Sequence, residues 1–126
     1  MNSERKLATI LATDCVNFSK HMEENEELTL TNLNECRKII DEVIAKFSGK
    51  IFSTAGDSVV AEFPSPVQCV KAAVEFQNKL YERDEHSLTK LPLSWRVGIH
   101  VDDVIVENNN IMGSGVNIAA RLESQS

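Results

Sequence analysis

An α+β fold of the ferredoxin-like kind, a split βαβ core (βαββαβ) with helices packed on one face of an antiparallel sheet, is predicted by three features of this chain. The first is the order of periodicities: an apolar run, a helical stripe, two strand-like runs about a tight turn, a second helical stretch, then two-residue alternation. The second is the Ala55-Gly56-Asp57 turn between two runs of strand formers, which reads as a hairpin. The third is size: 126 residues with 42% hydrophobic content suit one packed core, and no repeat or low-complexity tract divides residues 1–126 into further domains.

The elements follow in order. Residues 6–12, with the apolar run Leu7 to Ala12, read as a buried strand ending at Thr13-Asp14. The polar residues 23–27 lead into a first helix, along which Leu33, Cys36, Ile40, Val43 and Phe47 recur three and four apart as one apolar stripe. Gly49 is read as its stop. Residues 50–54 and 58–63 form the hairpin, with Asp57 at its tip. Ser65-Pro66-Val67-Gln68 offers a capping hydroxyl, a proline at the first helical position and a glutamine at the third, so a second helix begins there. Val67, Val70, Val74, Gln77 and Tyr81 mark its run, and residues 82–90 read as a loop. Leu93, Trp95, Val97, Ile99 and Val101 alternate with Ser94, Arg96, Gly98 and His100 as a half-buried strand. Asp102-Asp103 is read as a turn into a short strand over residues 104–106.

A net charge of −6 and a pI near 5.0 exclude a nucleic-acid-binding surface, which needs clustered lysine and arginine. A phosphate ligand would therefore be met locally, by metal and backbone. Cys15, Cys36 and Cys69 are odd in number and lack metal-ligand spacing, so they read as buried free thiols in a reducing compartment. Asp14 interrupts the best candidate for a signal peptide or a membrane span, and the expected location is cytoplasmic, without membrane contact from this chain.

Within a split βαβ sheet the first strand lies beside a strand of the hairpin, so Asp14 and Asp57 should converge. An aspartate in a Gly-Asp turn is ordinarily a turn former and nothing more. Asp14, at the end of a buried strand, changes the balance: two carboxylates meeting at a sheet end repel unless a cation joins them, and together they read as a divalent-metal pair. Val16, Asn17, Phe18 and Ser19 follow as a loop opening toward a helix, where successive N–H groups can meet phosphate oxygens; Asn17 tolerates the left-handed conformation such loops need. Further on, the segment from Asn110 to Arg121 reads as a helix presenting Asn117 and Arg121 one turn apart. Carboxylates for metal, with neutral and cationic donors, suit chemistry on a polyphosphate. His100 reads as a structural or solvent-facing histidine, and His21 and His86 suggest nothing.

Three motifs stand in sequence: Asp14-Cys15-Val16-Asn17-Phe18-Ser19; Thr54-Ala55-Gly56-Asp57 with a strand ending in Glu62-Phe63-Pro64; and Arg96-Val97-Gly98-Ile99-His100, followed by residues 104–107 and a helix ending in Ala119-Ala120-Arg121-Leu122-Glu123. Together they resemble the catalytic domain of class III nucleotidyl cyclases, the adenylate and guanylate cyclases. The resemblance implies two ions, Mg²⁺ or Mn²⁺, held by Asp14, Asp57 and the backbone carbonyl of Cys15. It also implies a homodimer with active sites shared across its interface. Asn117 would orient the ribose and Arg121 would stabilise charge on the α-phosphate, both from the partner chain. The implied reaction is attack of the ribose 3′-oxygen on the α-phosphorus of a nucleoside triphosphate, ATP first among them. A 3′,5′-cyclic nucleotide for intracellular signalling is made and pyrophosphate leaves.

Two departures from the family pattern bear on this. At the base-reading positions Ser53 stands where adenylate cyclases have a lysine, and Asn110 where they have an aspartate or threonine. Serine and amide each donate and accept, so they do not encode adenine as an ammonium and a carboxylate would, and GTP or a pyrimidine triphosphate becomes an alternative substrate. The chain also stops at Ser126, C-terminally truncated relative to the full cyclase domain, which continues with further strands and a triphosphate-contacting lysine. A second reading is therefore a catalytically impaired, cyclase-like dimerisation or nucleotide-sensing module.

Overall fold

A central strand, β1 (Ser3–Cys15), is paired along both edges in an antiparallel sheet whose order is β2-β3-β1-β4-β5. The other strands are β2 (Lys50–Ala55), β3 (Ser58–Phe63), β4 (Trp95–Glu107) and β5 (Asn110–Met112). The described residues also form three helices: α1 (Phe18–Glu24), α2 (Glu26–Lys46) and α3 (Pro66–Glu85). A computed structural model describes residues 3–85, 91–107 and 110–112, with side chains over residues 7–85 and 91–101. Of the segment from Asn110 to Arg121 expected as a helix, residues 110–112 are instead strand β5, held by pairing with β4, and the rest, with the motif helix at 113–123, lies outside the described residues. The fold class is the α+β, ferredoxin-like one that the element order predicts.

Alternation along β1 divides the sheet into two faces. Leu11 and Cys15 point to the helix side, where they join Leu33, Cys36, Ile40, Val43 and Ile44 of α2 and Cys69, Ala72, Phe76 and Leu80 of α3 in the main core. Ala8, Ile10 and Ala12 point the other way and form a smaller cluster with Phe52 and Val60. By the same alternation Asp14 belongs to this second face.

Local chemistry explains the helix ends, with several differences from the sequence reading. The residues after Asn17 already form a helix, α1, which stops at Asn25; the Asn25 side chain then caps α2 by accepting from the Leu28 N–H at 3.0 Å. The Ser65 hydroxyl caps α3 as expected, accepting from the Gln68 N–H at 3.2 Å. Gly49 does not supply the left-handed residue after α2. Ser48 does, with φ 65°, and the Gly49 N–H closes the end on the Ile44 carbonyl at 2.8 Å. Gly49 serves close packing instead: a Cβ there would lie 2.6 Å from Phe63 Cε2 and 2.7 Å from Ile44 Cγ2.

Helix α3 turns a different stripe inward. Val67, Val70, Val74 and Tyr81 are 49–65% exposed, whereas Cys69, Ala72, Ala73, Phe76 and Leu80 are buried. Both sets have helical spacing, and the one rich in small residues wins because it lets α3 approach α2 and the sheet. Asp102-Asp103 is likewise no turn. Strand β4 runs straight through, pairing Asp102 with Ala8 and Asp103 with Leu7 on β1. Helix α3 extends to Glu85, into the stretch read as loop. Among the described residues no helix is long and apolar enough to cross a membrane.

Candidate active site

The sheet brings the hairpin tip to the end of the central strand. Strands β1 and β3 are paired as far as Thr13 with Val59, and β2 and β3 close with Ala55 opposite Ser58, leaving Gly56 and Asp57 as a two-residue turn. Gly56 has φ 60°, the left-handed value demanded at the first position of such a turn. Asp57 then reaches across: its Oδ2 accepts the Cys15 N–H at 2.9 Å. The amide immediately after Asp14 is thus held by the Asp57 carboxylate.

Asp14 itself is 8% exposed and lies directly opposite Arg96 of β4. Arg96 grips it as a parallel fork, Nε to Oδ1 and Nη2 to Oδ2, each at 2.8 Å. On the other face, the Thr13 hydroxyl donates to the Arg96 carbonyl at 2.6 Å and fixes the strand backbone beneath the pair. Arg96 was not among the site residues named from the sequence. Alternation shows that it shares a polar face with Gly98 and His100, but its partner depends on a register that only the folded sheet supplies.

Cys15 contributes backbone, not sulfur. Its side chain is buried on the helix side, and burial, reinforced by the nearby Asp57 carboxylate, pushes the thiol pKa up to about 12. A thiol of that kind stays protonated near neutral pH and is a poor nucleophile.

After β1 the chain turns at Asn17, whose φ is 57°, and α1 begins. The Val16 N–H is committed to the Ser94 carbonyl at 2.8 Å. The first bond of α1 runs from the His21 N–H to the Asn17 carbonyl at 3.0 Å, so the amides of Phe18 and Ser19 precede the helical ladder. Asn17 and Ser19 are exposed, while Phe18 anchors the loop against the main core.

Ser53 is exposed on β2. The register shifts between Ile51, opposite Ala61, and Ser53, opposite Val60, so Phe52 is an extra residue in a β-bulge. Phe52 packs on the smaller cluster beside Val60, and Ser53 stands opposite Val60, in the cross-sheet row of Ala12 and Gly98. Ser53 therefore shares the Asp14 face, one row farther from the hairpin tip. The backbone of Asn110 opens β5, opposite Glu107. Asn117 and Arg121 lie outside the described residues.

Carboxylates and a backbone carbonyl are hard oxygen donors, the set that suits Mg²⁺ or Mn²⁺. No group of three or more His, Cys, Asp or Glu side chains able to hold a metal gathers among the described residues. That fits an ion held by one or two carboxylates and completed by substrate phosphates, the usual arrangement for Mg²⁺.

Comparison with known proteins bears on what such a site does. Residues 2–126 match the model of the adenylate and guanylate cyclase catalytic domain. A curated protein of Rhizobium meliloti (strain 1021), named "Putative adenylate cyclase 3", is 34% identical over 121 residues; the match spans 95% of this chain and 21% of that protein. The chain thus spans about a fifth of the length of this relative. A solved adenylate/guanylate cyclase/hydrolase from Silicibacter pomeroyi is 37% identical with a TM-score of 0.87, over 99% of this chain and 73% of the other. The adenylyl cyclase CyaB from P. aeruginosa is 27% identical with a TM-score of 0.85, over 100% of this chain and 75% of the other.

Proposed function

We infer the function from one premise: this chain belongs to the adenylate and guanylate cyclase catalytic domain family. It converts a nucleoside triphosphate, ATP first among them, to a 3′,5′-cyclic nucleotide and pyrophosphate, in a metal-dependent reaction that serves intracellular signalling. The observation that carries this reading is the Asp57 bond to the Cys15 amide, which sets a second carboxylate beside Asp14 at the end of the central strand.

Asp14, Asp57 and the Cys15 carbonyl would hold the ions. When bound, Mg²⁺ or Mn²⁺ lowers the pKa of the ribose 3′-hydroxyl and neutralises charge on the triphosphate. The chain's own residues do the positioning. Asn17, Phe18 and Ser19 offer amides to phosphate oxygens at the start of α1. Ser53 borders the place of the base, and Asn110 is its counterpart on β5. Asn117 holds the ribose and Arg121 stabilises charge on the α-phosphate. The last two act across a homodimer interface, so each site draws on both chains. Adenylate cyclase names among the relatives favour ATP. The neutral side chain at Ser53 favours a relaxed base preference, which brings in GTP or a pyrimidine triphosphate. A triphosphate substrate and three free cysteines both suit the cytoplasm.

The test is to incubate this chain, and a version extended beyond Ser126, with each of the four triphosphates and Mn²⁺ or Mg²⁺, and to identify products by mass spectrometry. Cyclic product is expected. Its absence from both versions overturns the enzyme reading in favour of the non-catalytic module that Ser53 suggests. Mixing Asp57→Ala with Arg121→Ala chains should restore part of the activity that each lacks alone, and failure to do so counts against shared sites.

A further inference from the structure

Building on the cyclase reading of this site, we propose that Arg96 is a stand-in cation for Asp14: it competes with the divalent ion for that carboxylate and yields it when a polyphosphate takes the guanidinium. Metal and nucleotide binding are thereby coupled through one side chain.

The fork is well formed. Both bonds are 2.8 Å, and strand register sets the two residues directly opposite each other, so the pair is held by the sheet itself. The Asp14 side chain is 12% exposed and that of Arg96 28%, so the carboxylate is enclosed while the cation lies nearer solvent. A carboxylate has about four acceptor positions, of which a bidentate guanidinium uses one on each oxygen. An ion placed on the remaining positions would sit beside a guanidinium of like charge, in a pocket where screening is weak. Arg96 must therefore move off before Asp14 becomes a full metal ligand. Once off, the partly buried guanidinium has given up two charge-assisted hydrogen bonds, a loss that an anion bound in place of the carboxylate offsets. A polyphosphate bound at the same end of the sheet supplies that anion. The exchange conserves charge pairing: guanidinium on carboxylate becomes ion on carboxylate and guanidinium on phosphate.

Mn²⁺ titrations of the chain and of Arg96→Gln, followed by electron paramagnetic resonance of free Mn²⁺ in phosphate-free buffer, test this directly. Arg96→Gln should bind Mn²⁺ about tenfold tighter, the change that about 1.4 kcal/mol makes. With tripolyphosphate present the order should reverse, the unaltered chain forming the tighter ternary complex. Equal or weaker Mn²⁺ binding by Arg96→Gln in phosphate-free buffer overturns the proposal. A second measurement needs no variant: the Arg96 Nε–H resonance and the Asp14 carboxyl carbon of the unaltered chain should both shift as Mg²⁺ saturates the site. Mg²⁺ binding that leaves them unmoved overturns it equally. If neither chain binds Mn²⁺ with or without tripolyphosphate, the metal-site reading beneath it fails as well, which is a different result from equal binding by both.

Discussion

Asp57 is assigned two separable jobs, holding the hairpin tip to β1 and supplying a metal ligand, and two substitutions pull them apart. Asp57→Ala removes the acceptor of the Cys15 N–H, which is met at 2.9 Å. A hydrogen bond to a charged group contributes about 1.5–3 kcal/mol. Asp57→Asn keeps an oxygen in the same place and loses only the charge-assisted part, about 1 kcal/mol. For a domain of this length each kcal/mol moves the melting temperature by about 3–5 °C, so the alanine variant should melt about 5–15 °C lower and the asparagine variant about 3–5 °C lower. Cyclic-nucleotide formation should fall in both by about a hundredfold or more, because neither retains the carboxylate that suits a hard divalent ion. Calorimetric or circular-dichroism melts, with product quantified by mass spectrometry at a temperature where both variants are folded, give the two readouts. An alanine variant as stable as the parent would refute the role of the Cys15 bond. An asparagine variant with full activity would refute the metal-ligand role.

Two further outcomes follow from packing and from buried thiols. Gly49→Ala places a Cβ within 2.6 Å of the Phe63 ring and should cost about 1–3 kcal/mol by overpacking. Phe63→Leu should relieve part of that loss in the double variant, and an unshifted melt of the single variant would show that the ring moves aside freely. Cys15 and Cys69 are held by burial from an ordinary 9.0 up to about 12, so the folded chain keeps protons that the unfolded chain releases above pH 9. The sign follows: this contribution is complete below pH 9 and is lost as pH climbs from 9 toward about 12, so the urea midpoint should fall through that window. Cys69→Ala should flatten the fall, and a midpoint with the same pH slope in parent and variant would refute the assignment.

The parts of this molecule that could be read in advance are those whose causes are local. Ser65 caps α3 because a hydroxyl there meets an N–H three residues on, and Gly56 turns the hairpin because its φ must be positive; both requirements are written within four residues of sequence. The stripe on α2 was legible for a related reason. Leu33, Cys36, Ile40 and Val43 form its most apolar face, so periodicity and burial agree. On α3 they part. The stripe marked by Val67, Val70, Val74 and Tyr81 stays exposed and the one of Cys69, Ala72, Ala73, Phe76 and Leu80 goes inward, because depth of approach to the sheet is decided by what lies across the interface. Gly49 shows the same thing at one position: its reason for being glycine is a phenylalanine fourteen residues away in sequence and touching in space.

The candidate site divides along the same line. Asp14 and Asp57 could be paired before any coordinates because topology alone puts the end of the first strand beside the hairpin tip. Arg96 could not, since a one-residue slip between β1 and β4 would turn it to the helix side and leave Asp14 facing another residue. Register is therefore the variable that decides whether the first carboxylate is a free ligand or one already held by a cation. Burial holds this register: β1 is packed on two faces, Leu11 and Cys15 against the helices and Ala8, Ile10 and Ala12 against Phe52 and Val60, and β4 on the helix side through Trp95, Val97 and Ile99, so the fork on Asp14 is enforced by packing some distance from it. A core substitution that loosened this register would show its first functional effect in divalent-ion affinity, because the fork that competes for Asp14 depends on the alignment that the core maintains.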